Sequence, residues 1–191
     1  MDPIRTFIAI DVPPKVLEAI TDVQNRFKSL GLHASWVRPG NIHLTLKFLG
    51  DIDPSQVPGI KDSLAPALSR LAPCQLALDG VGVFPDFKRP RVLWLGLRDE
   101  QGNLKALHTA LEEVLEKLGF PAEHRRFSPH LTLARIKSPK GKKELRRELE
   151  RLNDQGIDPN PFQADSVKWY KSQLTPKGSI YTVLEHFNLN Q

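Results

Sequence analysis

Ile42, Leu44, Leu46 and Phe48 fall on alternate positions of one run, and His43, Thr45 and Lys47 fill the positions between them. A period of two is the mark of a half-buried strand, with one face toward a core and the other toward solvent. The same alternation at 127–135 puts Ser128, His130 and Thr132 on the polar face. Further strands are predicted at 4–11, 75–84, 91–98, 162–170 and 179–187. The helical period gives stripes at Leu17, Ile20, Phe27 and Leu30, then at Val57, Ile60, Leu64, Leu68 and Leu71. A third stripe runs through Leu104, Leu107, Leu111, Val114, Leu115 and Leu118, and a fourth through Leu145, Leu149 and Leu152. Pro14 and Asp53-Pro54 open the first two helices, Ser138-Pro139 the last, and Gly31, Gly119 and Gly156 lie past helix ends. Pro66, inside the second stripe, predicts a kink or break.

The tetrapeptide His-Leu-Thr-Leu occurs at 43–46 and again at 130–133, an offset of 87 positions. The same offset carries Leu17 onto Leu104, Ile20 onto Leu107, Phe27 onto Val114, Trp94 onto Tyr181, and the strand at 91–98 onto 178–185. A constant shift across helices and strands indicates a duplicated unit, with repeats at about 4–90 and 91–187 inside one domain spanning 1–191. Two copies about a pseudo-twofold axis would set the two His-x-Thr strands opposite each other with a cleft between.

Composition narrows the classes. The 191 residues suit one domain or two fused lobes, and 40% hydrophobic content supports a real core. No apolar run approaches the roughly 18 residues of a membrane helix. The start of the chain has no basic leader before an apolar block, and Cys74 is the only cysteine. Both favour a cytoplasmic protein without an internal disulfide. Lys plus Arg exceed Asp plus Glu by 27 to 22, which is compatible with a phosphate-bearing partner. Lys140, Lys142, Lys143, Arg146, Arg147 and Arg151 crowd into the last helix. They read more simply as its wet face than as a nucleic-acid groove.

Two imidazoles and two hydroxyls facing one cleft suit phosphodiester cleavage. One neutral histidine takes a proton from the attacking oxygen, a charged one gives a proton to the leaving oxygen, and the threonines hold the non-bridging oxygens. Zinc would want three or four ligands, and neither motif carries an acid or a cysteine. A serine or cysteine nucleophile lacks an elbow-like signature. A purely structural pair of strand histidines is disfavoured by the repetition. His108 falls on an apolar stripe as a buried helix residue, and His33, His124 and His186 have no context that marks a site.

These residues resemble the two-histidine phosphoesterase superfamily, and within it the RNA 2′,3′-cyclic phosphodiesterases first described as 2′-5′ RNA ligases. The likeness extends from Arg5-Thr6-Phe7-Ile8-Ala9 through Trp36-Val37 and Phe48-Leu49-Gly50 to Phe84-Pro85 and Arg89-Pro90-Arg91-Val92-Leu93-Trp94. It continues through Phe127-Ser128-Pro129-His130 and Arg135 to Tyr170-Lys171-Ser172 and Tyr181. It implies a bilobal α+β fold, with two antiparallel sheets flanked by helices around a central groove. It implies hydrolysis of a 2′,3′-cyclic phosphate at an RNA end to a 2′-phosphomonoester, with tRNA halves among the substrates and a reversible ligase activity beside it. His43 would be the proton donor, His130 the proton acceptor, and Thr45 and Thr132 the phosphate ligands. No metal or nucleotide cofactor is implied, and the protein is expected to be a monomer off the membrane. A nucleotide-binding module without turnover, or a phosphodiesterase of ADP-ribose 1″,2″-cyclic phosphate, are the alternatives.

Contacts beyond the motifs are expected at Lys47 and Arg126, which share the faces of His43 and His130, and at Ser128, Tyr170 and Ser172. Phe48 could stack on a base, although alternation puts it with the core. Arg135 is family-typical, yet alternation turns it away from His130, so a bulge or strand end would be needed.

Overall fold

The computed structural model describes residues 2–123, 125–176 and 178–190. Strand β1 (Ile4–Asp11) leads to helix α1 (Pro14–Lys28), short β2 (Ala34–Trp36) and β3 (His43–Ile52). Helix α2 (Val57–Leu68) and strands β4 (Cys74–Phe84) and β5 (Val92–Asp99) follow, then α3 (Asn103–Lys117) and β6 (His130–Ile136). Helix α4 (Lys142–Gln155) precedes β7 (Phe162–Ala164), β8 (Ser166–Thr175) and β9 (Gly178–Asn188).

Among the described residues the strands join in the order β7-β4-β5-β6-β3-β1-β8-β9, with β2 on β6, and every neighbouring pair is antiparallel. The two expected sheets are the halves of this ladder, and they meet at one register pair, Leu44↔Leu131. Past it the halves part: β6 exchanges β3 for β2 along the same edge, with Trp36↔Ala134 and Ser35↔Arg135. That change of partner opens a cleft between β3 and β6 and floors it with the β2 segment. Each half draws strands from both sequence repeats, because β1 and β3 carry β8 while β6 and β5 carry β4.

One face of the ladder holds the core. Ile8, Ile10, Leu44, Leu46, Leu131 and Leu133 are buried there with the apolar stripes of all four helices. A two-sided strand buries one set and shows the other, so His43, Thr45, His130 and Thr132 project from the opposite, helix-free face. No described helix is long and apolar enough to cross a membrane.

Several boundaries differ from the pattern, each for a local reason. Pro66 lies in the last turn of α2, which ends two residues later at Leu68, so the break coincides with the helix end. Helix α4 begins at Lys142 rather than at Pro139, because Gly141 at φ 76° turns the chain first. The run 162–170 serves two edges: β7 pairs with β4 and β8 with β1, with Asp165 between them. Gly80 does not stop β4; at φ 68° it sits in the register shift between Leu78 and Val81.

Candidate active site

His43 and His130 are each the first residue of their strand, and both rings are anchored in the same way. Nδ1 of His43 lies 2.8 Å from the Asn41 carbonyl, and Nδ1 of His130 lies 2.7 Å from the Ser128 carbonyl. A carbonyl only accepts, so Nδ1 carries the proton in both rings. In the neutral ring Nε2 is then the basic nitrogen, and in the charged ring Nε2 is a donor. From Leu44↔Leu131 the antiparallel register sets His43 opposite Thr132 and His130 opposite Thr45. Each imidazole thus faces the other repeat's hydroxyl, with the two histidines on a diagonal of roughly 7–8 Å.

A cavity of about 300 Å³ opens beside this constellation, lined by His43, Thr45, Thr132, Phe48, Arg135, Ser172, Tyr181 and Arg5 among others. His130 is beside the cavity rather than in its lining, half-buried at the edge of Phe84, whose ring stands 4.9 Å away and nearly perpendicular. His43 is more enclosed. Phe7 stacks on it at 4.8 Å and Tyr181 meets it edge-on at 5.3 Å. Burial pushes the His43 pKa below its usual 6.5, while the Asn41 carbonyl and the Asp11 carboxylate act in the opposite direction.

Two β-bulges decide which neighbours reach the cleft. In β3 the register steps from Ala9↔Thr45 to Ile8↔Lys47, skipping Leu46, and in β6 it steps from Trp94↔Thr132 to Leu93↔Ala134, skipping Leu133. An extra residue reverses the facing of everything after it. Lys47 is therefore not on the catalytic face. It is 4% exposed, and its ammonium lies 2.8 Å from Glu112 and donates to the Pro121 carbonyl at 2.8 Å. Phe48, assigned to the core by alternation, is 56% exposed and lines the cavity instead. Arg135 reaches the cavity by the equivalent bulge in β6.

The other expected contacts divide. Ser172 lines the cavity. Tyr170 does not; it is buried beneath Phe7 with rings 5.3 Å apart, and its hydroxyl donates to Asp11. Ser128 acts through its carbonyl on His130. Arg126 is exposed on the approach to β6 and is not part of the cavity wall. His108 stacks on Phe127 at 4.0 Å, 3.8 Å from Glu112 on α3 and away from the cleft. His124 lies outside the described residues. Cys74 is buried and its thiol is pushed up to about 12, chiefly by burial and also by Asp99, which makes it a poor nucleophile. Among the described residues no three His, Cys, Asp or Glu side chains gather to hold a metal ion.

Asp11, Phe7, Arg5 and the β2 segment are site residues that pattern reading did not single out. For Asp11 a signal existed: it alternates with Phe7 and Ala9 at the polar end of β1, in register with His43.

The LigT like Phosphoesterase family model matches this chain twice, over residues 10–94 and 95–181. The chain belongs to that phosphoesterase family. The RNA 2′,3′-cyclic phosphodiesterase of Methanocaldococcus jannaschii is 37% identical over 183 residues, covering 96% of this chain and 99% of the relative. A solved structure from Thermus thermophilus superposes with a TM-score of 0.79 at 30% identity, covering 97% of each chain. E. coli LigT complexed with 3′-AMP gives a TM-score of 0.79 at 25% identity, covering 100% of both chains. The duplicated LigT-like α+β fold agrees with the doubled match and with the ladder halves described above. In this phosphoesterase the repeated strands supply both histidines and both threonines from one sheet face.

Proposed function

We propose that the protein hydrolyses a 2′,3′-cyclic phosphate at an RNA end to a 2′-phosphomonoester. The observation that carries this is the Leu44↔Leu131 register, which sets two Nδ1-anchored histidines on a diagonal, each across from a threonine. The name of the M. jannaschii relative supports the substrate class. Nε2 of His130 takes a proton from water as its oxygen attacks phosphorus. The bond from phosphorus to O3′ breaks in line, and Nε2 of His43 protonates that oxygen. Thr45 and Thr132 donate to the non-bridging oxygens, each such charged hydrogen bond being worth about 1.5–3 kcal/mol. An incoming 5′-hydroxyl in place of water gives a 2′-5′ linkage by the same proton movements, which accounts for a ligase activity beside hydrolysis.

The donor must hold a proton that burial disfavours in the free protein. The arriving phosphate anion and the Asp11 carboxylate both favour the charged ring. The test is an oligoribonucleotide ending in a 2′,3′-cyclic phosphate, incubated with EDTA. Release of a 2′-phosphate by the wild type, and none by His43→Ala or His130→Ala, is expected. A 3′-phosphate product would reverse the leaving oxygen, loss of activity on chelation would bring in a metal, and binding without turnover would leave a recognition module.

A further inference from the structure

Next to the catalytic cleft is a second groove, walled by Lys88, Arg89, Arg91 and Lys137, with Pro90 and Pro139 between them. Strand β6 runs from one to the other: Thr132 and Arg135 line the cleft, and Ile136 and Lys137 line the groove. Arg135 and Lys137 are two residues of extended chain apart, roughly 6.6 Å. The groove is built rather than splayed. The Ile136 amide donates to the Arg91 carbonyl at 2.9 Å, holding β5's approach against the exit of β6. Asp86 accepts from the main-chain amides of Lys88 and Arg89 at 2.7 and 2.9 Å, fixing the turn that presents them. Lys142 donates to the Lys88 carbonyl at 2.8 Å, tying that turn to the start of α4.

Several cations elsewhere on the surface are compensated. Arg98 pairs with Glu100, Lys168 with Asp11, Lys61 with Glu185, and Arg26 and Arg151 with Glu148. Along the groove, Lys88, Arg89, Arg91, Lys137 and Lys140 are all exposed, and among the described residues none of them has a carboxylate partner. Phe87, which precedes Lys88 in the chain, is 40% exposed, with the Arg146 guanidinium 5.7 Å from the centre of its ring. Unpaired cations in a track, with an exposed aromatic ring beside it, are what a single-stranded nucleic acid binds: phosphates on the cations and a base against the ring.

We propose that this groove holds the phosphodiester backbone of the RNA strand whose cyclic end occupies the cleft, so that the enzyme favours a polymer end over a cyclic mononucleotide. The proposal rests on the function proposed above, and two measurements keep them apart. Binding of a labelled oligoribonucleotide ending in a 2′-phosphate is followed by anisotropy across a salt series. Turnover is followed on a cyclic mononucleotide, which is too short to reach the groove. The triple variant Arg89→Ala, Lys137→Ala, Lys140→Ala is expected to bind the oligomer about 10-fold more weakly, with a salt slope shallower by about 2, since each single-strand phosphate contact contributes roughly 0.7. Its kcat and KM on the mononucleotide should equal those of the wild type, which also certifies its fold. Equal oligomer affinity and equal salt slope in variant and wild type would overturn the groove, as would a matching loss on the mononucleotide. Weaker oligomer binding by the variant, with no turnover of a cyclic-ended oligoribonucleotide by either protein, would support the groove and refute the proposed chemistry.

Discussion

His43 and His130 stand in matching frames that differ in what surrounds them. Both begin a strand, both donate Nδ1–H to a carbonyl two residues back, and both precede a bulge one residue past the threonine. By sheet position, Asp11 is to His43 what Gly96 is to His130, and Tyr170 answers to Phe84. His43 is thus held among Phe7, Tyr181 and a carboxylate, while His130 meets the edge of one aromatic ring and no registered charge. After the bulge the frames diverge again, with Phe48 in one cleft wall and Arg135 in the other. Duplication supplies the geometry, and the different neighbours give two identical motifs unequal surroundings.

Removing either imidazole is the harshest test of that division of labour. His43→Ala and His130→Ala should each lower kcat by about 10²–10⁴-fold or more on a cyclic-ended oligonucleotide, while leaving the melting temperature near that of the wild type. Retention of most activity by either variant would show that the two frames do not cooperate on one phosphorus. Thr45→Ala and Thr132→Ala should each cost about 10–100-fold in kcat/KM, the equivalent of one charged hydrogen bond. Thr→Ser should restore much of it, and equal losses from the two threonines would mean the frames grip the phosphate evenly.

The bulges can be probed through stability. Lys47 and Ala134 occupy the same place after the bulge, both buried, but only Lys47 brings a charge, which Glu112 neutralises. Lys47→Ala leaves that carboxylate half-enclosed without its cation, holding only the Glu123 amide at 2.9 Å and His108 at 3.8 Å, and should cost about 3–5 kcal/mol in denaturant unfolding. Lys47→Met combined with Glu112→Gln should recover most of it. A Lys47→Ala protein of unchanged stability with weakened RNA binding would return Lys47 to the catalytic face. Gly96 tests the other frame. A Cβ there would come 2.2 Å from the Asp79 carbonyl oxygen, so Gly96→Ala should destabilise by about 1–3 kcal/mol. The same contact explains why His130 cannot acquire a copy of Asp11.

The motifs, the duplication and most elements were legible because period-two and helical patterns are local, and a repeated tetrapeptide is visible without a structure. The bulges were not, since an unpaired residue leaves no mark on the alternation itself. Lys47 and Phe48 were consequently assigned to opposite faces from those they occupy, and Arg135 could be admitted only on condition of a bulge. The offset of 87 holds for the His-x-Thr strands, but in the sheet Trp94 stands where Ala9 does, both opposite a motif threonine. Its match to Tyr181 therefore joined strands that are not equivalent in space. Tyr170 was misplaced because its neighbours belong to a strand from the other repeat.

The mildest perturbation is also the one that reads the proton roles directly. Asp11 raises the His43 pKa against a larger lowering by burial, so Asp11→Asn should move that pKa further below 6.5. The titratable groups around the ring are Asp11, Tyr181, edge-on at 5.3 Å, and Tyr170, whose hydroxyl donates to Asp11; Lys168 stands behind them, its ammonium 2.6 Å from the same carboxylate. With Asp11 neutralised, the cation at Lys168 is left uncompensated and acts in the same lowering direction. As the donor, His43 must be charged in the free enzyme, so kcat/KM falls as pH rises through its pKa, giving the alkaline limb of the profile. Asp11→Asn should shift that limb to lower pH and leave the acidic limb in place. Movement of the acidic limb instead would make His43 the base, exchanging the two roles without touching the geometry that both frames share.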